Sequence, residues 1–547
     1  MSSVRINHLN VDLSGKKVLE DLCLEFNTKE RILILGAGGC GKSTLLLSMM
    51  GIVQRMENAE VTGEVFFDDC PVTKLKAFEV AKVLGIVFQN PESQFCTLYP
   101  ENEVAFGLEN LGVEPKKMDR IISDSLMAMH FPKKRIHAQI NQLSGGEQQR
   151  LACAAAVAQG AQMLLLDEPT SNLDPEGRRQ VADAAETLSR KGKGLLVVEH
   201  NLENWLPLLG RVIVLGNNGK LLADGDPRDV FVKYKDQMTQ QGIWRPRALR
   251  MFDELKSLGY TPARVPLTAK ELRKEQISWE LLAKAWEKAF PTCVRKISTA
   301  KPLIQTEHLT GEYKKGQPVF RDVSFRMDCG DFVALTGRNG SGKSTLAKTL
   351  VGLHEASEGR IMLFGQDTTG ERASSVFRSG DIGYVFQNPE HQFLKETVWD
   401  ELKYSVRQDL SGNSIVHRLI QQFDLQGVES SNPFRLSGGQ KRRLSVAIML
   451  SGHRKLLILD EPTFGQDEKA TYMLMDKLIE YNQGGTGILM ITHDLDLAAR
   501  YANKIAVLSD GSLAYYGTPE ELWKKPDVIK HSGLQIPFFA ELRMEDQ

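Results

Sequence analysis

GAGGCGKST at residues 36–44 returns as GRNGSGKST at residues 337–345, and the two lysines, Lys42 and Lys343, lie 301 positions apart. Both stretches satisfy G-x-x-x-x-G-K-[ST], which is a physical specification. The glycines let backbone N–H groups close around phosphate oxygens, and a following helix aims its positive N-terminus at the same anion. Each stretch follows a short apolar run, residues 31–35 and 332–336, and precedes a helix-like run that begins Ser-Thr-Leu. That strand–loop–helix context predicts two phosphate-binding loops. Their candidate residues are Gly36, Gly38, Gly39, Gly41, Lys42, Ser43 and Thr44, and Gly337, Asn339, Gly340, Gly342, Lys343, Ser344 and Thr345. The lysines are expected to bridge β- and γ-phosphates, and Ser43 and Ser344 to offer a hydroxyl to Mg²⁺.

Working outward, the repetition continues. VFQNPESQF (87–95) returns as VFQNPEHQF (385–393), LSGGEQQRL (143–151) as LSGGQKRRL (436–444), and LLLDEPT (164–170) as LILDEPT (457–463). Ser144 to Ser437, Asp167 to Asp460 and His200 to His493 are each 293 residues apart, so this part of the two halves has one length. The chain is a duplication of a whole machine, not a short-period solenoid.

Residues 163–166 and 456–459 are unbroken apolar runs ending in Asp. Such runs read as strands buried on both faces of a parallel sheet. Asp167 and Asp460 then sit at strand ends, where open α/β sheets place ligands, and suit Mg²⁺ ligation. Glu168 and Glu461 come next and point another way, towards a γ-phosphate, where they can polarise or deprotonate the attacking water. Taken alone, such an acidic pair before a proline reads as an exposed turn; downstream of a phosphate loop it reads as catalytic. His200 and His493 follow further buried strands (194–198 and 487–491) and are expected to bond the γ-phosphate. Ser144-Gly145-Gly146 and Ser437-Gly438-Gly439 each open a basic, helix-compatible run, a second anion-binding helix start in each half.

This ordered set, phosphate loop, FQNP glutamine, LSGG, Asp-Glu strand and histidine, resembles the ABC ATPase family over nearly the whole chain, twice. The resemblance implies ATP and Mg²⁺ as ligands and two tandem α/β domains of the P-loop NTPase class. Each would have a mostly parallel core sheet, an antiparallel β subdomain and a helical signature subdomain. It also implies a head-to-tail sandwich. Lys42, Asp167, Glu168 and His200 would work with Ser437 and Gly439, and Lys343, Asp460, Glu461 and His493 with Ser144 and Gly146. Gln89 and Gln387 would be the Q-loop glutamines, touching metal or water and sensing a membrane partner. FQNPE-x-QF, Glu103-Val-Ala-Phe-Gly and TFGQD (463–467) resemble the ATPases of energy-coupling-factor importers of vitamins and transition-metal ions, in particular fused double subunits, some linked to thiamine or its hydroxymethylpyrimidine precursor.

The halves also depart from the pattern. Tyr313 fits the family's adenine-stacking aromatic, but the matching place in the first half is Leu13. The site containing Lys42 is therefore expected to bind ATP less tightly, by roughly 1–3 kcal/mol. Cys40 stands where the second half has Ser341, either as a small filler of a tight turn or as a thiol activated by the helix start and Lys42. Glu147 replaces the usual signature glutamine, a minor change. Both halves keep the catalytic Glu and His, so two hydrolytic sites are expected.

Bulk properties agree. The 547 residues allow about three to five compact units, and a formal net charge of −1 disfavours a nucleic-acid binder. Seven cysteines, at 23, 40, 70, 96, 153, 293 and 329, form no CxxC pair, as in a reduced cytosolic chain. The N-terminus has no signal-peptide pattern, and the most apolar run, 45–53, is too short to span a bilayer. The expected domains are 1–235, a linker or extension at 236–300, and 301–547 with a short extension. Residues 231–300 carry 14 Lys/Arg against 7 Asp/Glu and read as a solvated connector or as a basic surface near anionic lipid headgroups. The expected function is the motor of an importer at the cytoplasmic face of the cell membrane. Its partners would be integral membrane subunits: an energy-coupling transmembrane protein and a substrate-binding membrane protein. The alternatives are a soluble twin-cassette ATPase acting on ribosomes or nucleic acid and, more weakly, an exporter motor.

Overall fold

A computed structural model of the protein describes residues 2–171, 173–291, 299–377, 380–406 and 412–543. The chain divides into two compact units, Met1–Ile277 and Ser278–Gln547. The first holds β1 (Ser3–Leu13), β2 (Lys16–Asn27), β3 (Arg31–Gly36), β4 (Ala59–Phe67), β5 (Cys70–Pro71), β6 (Leu84–Val87), β7 (Met163–Asp167), β8 (Gly194–Val198), β9 (Arg211–Leu215) and β10 (Leu221–Gly225). They form an antiparallel sheet of order β2-β1-β4-β5 and a core sheet of order β10-β9-β3-β8-β7-β6. The core sheet is parallel except for the β9–β10 hairpin.

Alternation along the core strands explains the layering. Leu33, Leu35, Leu164, Leu166, Leu195 and Val197 face one cluster, shared with the helices Pro175–Arg190 and Gly145–Ala158. Ile32, Ile34, Leu165, Leu196 and Val198 face the opposite cluster, shared with Val4, Ile6 and Leu24 of the antiparallel sheet. Every residue of β7 and β8 is buried, so both faces of these strands must be covered, which produces the continuous apolar runs in the sequence.

The second unit repeats the plan with β11 (Thr299–Lys314), β12 (Gln317–Cys329), β13 (Phe332–Thr336), β14 (Glu358–Leu363), β15 (Gln366–Asp367), β16 (Ile382–Val385), β17 (Leu456–Asp460), β18 (Gly487–Ile491), β19 (Lys504–Ser509) and β20 (Ser512–Gly517). Its sheets run β12-β11-β14-β15 and β16-β17-β18-β13-β19-β20. Length alone allowed three to five compact units; two form because each core sheet carries both hydrophobic clusters of its unit.

Over its described residues 236–291 the segment after the first cassette has a packed, apolar face. Helix Arg247–Ser257 buries Leu249, Met251, Phe252 and Leu255, and Leu249 and Phe252 join the first unit's core. Arg245 and Lys235 both pair with Asp253, so part of the basic excess is neutralised locally, while Glu271 pairs outside the segment with Arg228. Helix Trp279–Ala289 belongs to the second unit, where Trp279 and Trp286 pack on Phe539 at 4.9 and 5.0 Å between ring centroids. Among the described residues no helix is long and apolar enough to cross a membrane. Six cysteines are unbridged; Cys293 lies outside the described residues.

Candidate nucleotide sites

Each phosphate loop links a central core strand, β3 or β13, to a helix, Lys42–Met49 or Lys343–Leu350. Gly41 and Gly342 cap these helices at φ 101° and 99°. A Cβ there would meet the carbonyl oxygens of Val18 at 2.8 Å and Val319 at 3.0 Å, so only glycine lets the loop close this tightly. The buried Lys42 Nζ donates to the carbonyls of Gly36 and Ala37, both at 2.9 Å. Lys343 repeats this with Gly337 and Arg338 at 2.8 and 2.7 Å. Cys40 is buried against Gly36, whose Cβ, if added, would lie 2.3 Å from Cys40 Sγ; Ser341 Oγ stands in the same relation to Gly337. This geometry is that of a small residue filling a tight turn.

Asp167 and Asp460 end β7 and β17 and are buried. Burial pushes both carboxyls up, and hydrogen bonds from Ser43 and Ser344 oppose this. The next residues turn away through the left-handed region, Glu168 at φ 46° and Glu461 at φ 51°. Such backbone costs about 1–3 kcal/mol and clusters at functional sites. Their amides are anchored on the neighbouring strand ends: Glu168 N donates to Val198 O at 2.9 Å, and Glu461 N to Ile491 O at 3.1 Å. The Asp and Glu carboxylates therefore diverge, and His200 Nε2 lies 3.2 Å from Glu168 Oε1, as His493 Nδ1 lies 3.0 Å from Glu461 Oε1. Burial pushes the Glu168 carboxyl up, but the His200 hydrogen bond and the charges of His200 and Lys42 outweigh it and hold it below its ordinary value.

Gln89 Nε2 donates to Glu168 Oε2 at 2.9 Å, so the first unit brings its FQNP glutamine to the glutamate. In the second unit the recorded bond at Gln387 is to its backbone carbonyl, which accepts from the Arg442 guanidinium; Arg442 also donates to Phe386 O at 2.8 Å. Burial lowers the Arg442 pKa to about 10, against the pull of Glu461 and Asp460.

Ser144 and Ser437 cap the helices Gly145–Ala158 and Gly438–Leu450 in reciprocal capping boxes with Glu147 and Gln440. The serine–glycine turns thus present helix N-termini, as the sequence predicts. Tyr313 is exposed; its hydroxyl lies 3.4 Å from Thr345 Oγ1 and its ring 4.5 Å from that of His354. Leu13, at the corresponding end of β1, packs against the core instead.

Three residues had no role assigned from sequence: Glu199, outside the motifs, and, inside them, Arg442 of LSGGQKRRL and Gln466 of TFGQD, whose Nε2 donates to Gly439 O at 3.0 Å. The constant offset of 293 was the available signal, since it pairs Arg442 with Gln149, Glu199 with Thr492 and Gln466 with Leu173. Among the described residues His8, Asp21 and Cys23 also form an exposed trio with metal-ligand atoms close together. The second unit has the same His–Asp contact, His308 to Asp322, with Ser324 in place of the cysteine, so the arrangement belongs to the shared strand irregularity.

A family model described as ABC transporter matches residues 19–171 and 320–464, one stretch in each unit. Over 533 residues the chain is 36% identical to a Bacillus subtilis (strain 168) protein provisionally named an HMP/thiamine import ATP-binding protein, YkoD, covering 96% of this chain and 93% of that one. It is 32% identical over 543 residues to a Methanosarcina mazei protein provisionally named an ABC transporter ATP-binding protein, covering 97% and 91%. The solved complex of archaeal ribosomal stalk protein aP1 and archaeal ribosome recycling factor aABCE1 matches with a TM-score of 0.59 at 19% identity, covering 93% of this chain and 90% of that one; this likeness shows the fold alone. With its two phosphate loops, two Asp-Glu strand ends and two signature helices, the chain belongs to the ABC transporter family and is an ATPase built of two tandem cassettes.

Proposed function

We propose that the chain is the motor of a membrane importer for a vitamin or a metal ion, of the energy-coupling-factor kind. It acts at the cytoplasmic face of the membrane through a separate energy-coupling transmembrane protein and a substrate-binding membrane protein. The observation that carries this reading is the likeness, across both units, to a protein named for HMP/thiamine import. The FQNPE-x-Q segments in both halves support it.

In this reading Lys42 and Lys343 leave the loop carbonyls to hold the terminal phosphates of ATP. Glu168 and Glu461 accept the proton of the attacking water. The His200 bond keeps the Glu168 carboxylate ionised, and so able to accept a proton. Ser43, Asp167 and Gln89, and Ser344, Asp460 and Gln387, would hold Mg²⁺, which neutralises phosphate charge when bound. The residues fit: hydroxyl, carboxylate and amide oxygens are hard donors, and a buried carboxylate pushed up by desolvation gains from a cation. Following the family's pairing, Ser437 and Gly439 serve the nucleotide on Lys42, and Ser144 and Gly146 the one on Lys343.

The test is purification of the tagged full chain from detergent-solubilised membranes. The expected result is co-purification of very hydrophobic membrane proteins and ATP hydrolysis that changes when they are reconstituted in vesicles. Recovery with ribosomes, and none with membrane proteins, would overturn the reading.

A further inference from the structure

Between β8 and His200 the first unit places a buried carboxylate, Glu199, that none of the shared motifs uses. Its Oε1 accepts from the backbone N–H of Thr170 at 3.0 Å and from the Thr170 hydroxyl. Its Oε2 accepts from the backbone N–H groups of His200 at 2.9 Å and Asn201 at 3.2 Å. Four donors thus converge on one carboxylate. They come from two turns: the one that follows Glu168, and the one that carries His200. Across those turns His200 Nε2 meets Glu168 Oε1 at 3.2 Å.

The second unit solves the same problem differently. Thr492 occupies the matching position, and its hydroxyl accepts from Asp494 N at 3.1 Å. Asp494 then caps the helix Leu495–Tyr501, with Oδ1 accepting from Leu497 N at 2.9 Å. A capped helix therefore fixes the chain directly after His493. The first unit has no such helix: residues 201–208 run as coil and turns, with Pro207 and the buried Trp205 among them. Proline inside this stretch opposes a helix. His200 must be held from elsewhere, and the donors to hold it are the ones gathered on Glu199.

We propose that Glu199 is a positioning residue of the first site, a strap that stands in for the missing helix and sets His200 against Glu168. Burying a carboxylate is costly unless its oxygens are satisfied, and here every bond goes to the two turns that carry the reacting groups. The second unit, with its helix, does without a carboxylate there.

The inference rests on the roles proposed for Glu168 and Glu461. The experiment uses the full chain carrying Glu461→Gln, so that turnover reports the first site. Adding Glu199→Thr, the second unit's residue, is expected to lower kcat on the order of 10- to 100-fold, since small misplacements of reacting groups are costly. KM for ATP is expected to move less than about threefold. Glu199→Asp, which keeps the charge but shortens the reach, is expected to recover part of the loss. Hydrogen exchange read on the same proteins should accelerate at the amides of Thr170, His200 and Asn201 and stay unchanged at residues 492–494. If Glu199→Thr leaves kcat within twofold, or if KM rises as much as kcat falls, the strap has no positioning role. If the variant does not fold, Glu199→Gln, which keeps shape and half the acceptors, decides by the same two readouts. Failure of the underlying reading looks different: Glu168→Gln and Glu461→Gln would then leave turnover intact before any change at Glu199.

Discussion

The two units agree at the phosphate-loop lysines, the Asp-Glu strand ends and the histidine contacts, and differ in what stands behind them. Lys42 and Lys343 bond the matching loop carbonyls, and Glu168 and Glu461 share the left-handed turn and the histidine contact. Behind them the first unit uses neutral or local partners. Gln148 holds Glu92 at 3.1 Å, and the Nε2 of buried Gln149 makes no hydrogen bond among the described residues. The second unit uses cations at the same places: Lys441 lies 2.5 Å from Glu390, and Arg442 ties Phe386 and Gln387 to the signature helix. The first unit has Glu199 where the second has a helix. The difference teaches that duplication preserved the reacting groups, whose chemistry leaves few substitutes, and let their supports diverge, because several kinds of bond can hold one backbone position.

The largest expected effect tests the agreement. Glu168→Gln with Glu461→Gln should lower ATP turnover by about 10²- to 10⁴-fold, and each single change should lower it measurably. Turnover that survives Glu461→Gln but vanishes with Glu168→Gln would show that only one unit hydrolyses. Next, Arg442→Gln makes the second unit like the first at this position and leaves the Phe386 and Gln387 carbonyls without the guanidinium. A loss of about 2–3 kcal/mol in urea unfolding is expected, and an unchanged midpoint would remove Arg442 as a support.

Tyr313→Leu should bring the second site's nucleotide affinity down by roughly 1–3 kcal/mol, towards that of the site near Leu13. Titration of fluorescent ATP analogues into the two Glu→Gln variants checks this; equal affinities before the change would break the comparison. The smallest effect concerns the buried aspartates. Burial raises the folded pKa of Asp167 and Asp460. Their contribution is therefore fully favourable below the unfolded value near pH 4, is lost as pH rises through the raised pKa, and is a net cost at neutral pH. Asp460→Asn should raise Tm at pH 7 by about 2–4 °C while leaving the first site's share of hydrolysis in place, and the gain should vanish near pH 4. A lower Tm at pH 7 would mean that the charge is already stabilised in the fold.

The apolar runs ending in Asp167 and Asp460, the glycine loops and the serine-capped helices were legible because each is a local pattern with a local cause. Buried strands read as continuous hydrophobics, tight turns read as glycine, and the signature helix starts read as Ser-Gly-Gly before a basic, helix-compatible run. The Tyr313–Leu13 difference was legible from its place before the loop. Arg442 and Glu199 were not legible by motif, because an arginine in a basic run and a glutamate before a histidine look like solvated surface until packing encloses them. In the stretch after residue 235 the charge count likewise said nothing of the apolar face that buries Leu249 and Phe252.

By itself the sequence determined that this chain is two copies of one phosphate-binding machine and where its glycine loops, Asp-Glu strand ends and signature helix starts lie, since backbone sterics, burial and helix capping act over a few neighbours. Only the tertiary structure decided how each copy is braced: which carboxylate gathers distant amides, which guanidinium crosses to another loop, and where the connector buries its apolar face. The bonds from Thr170 to Glu199 and from Arg442 to Phe386 and Gln387 join residues tens of positions apart, and nothing in local patterning distinguishes them from exposed charge.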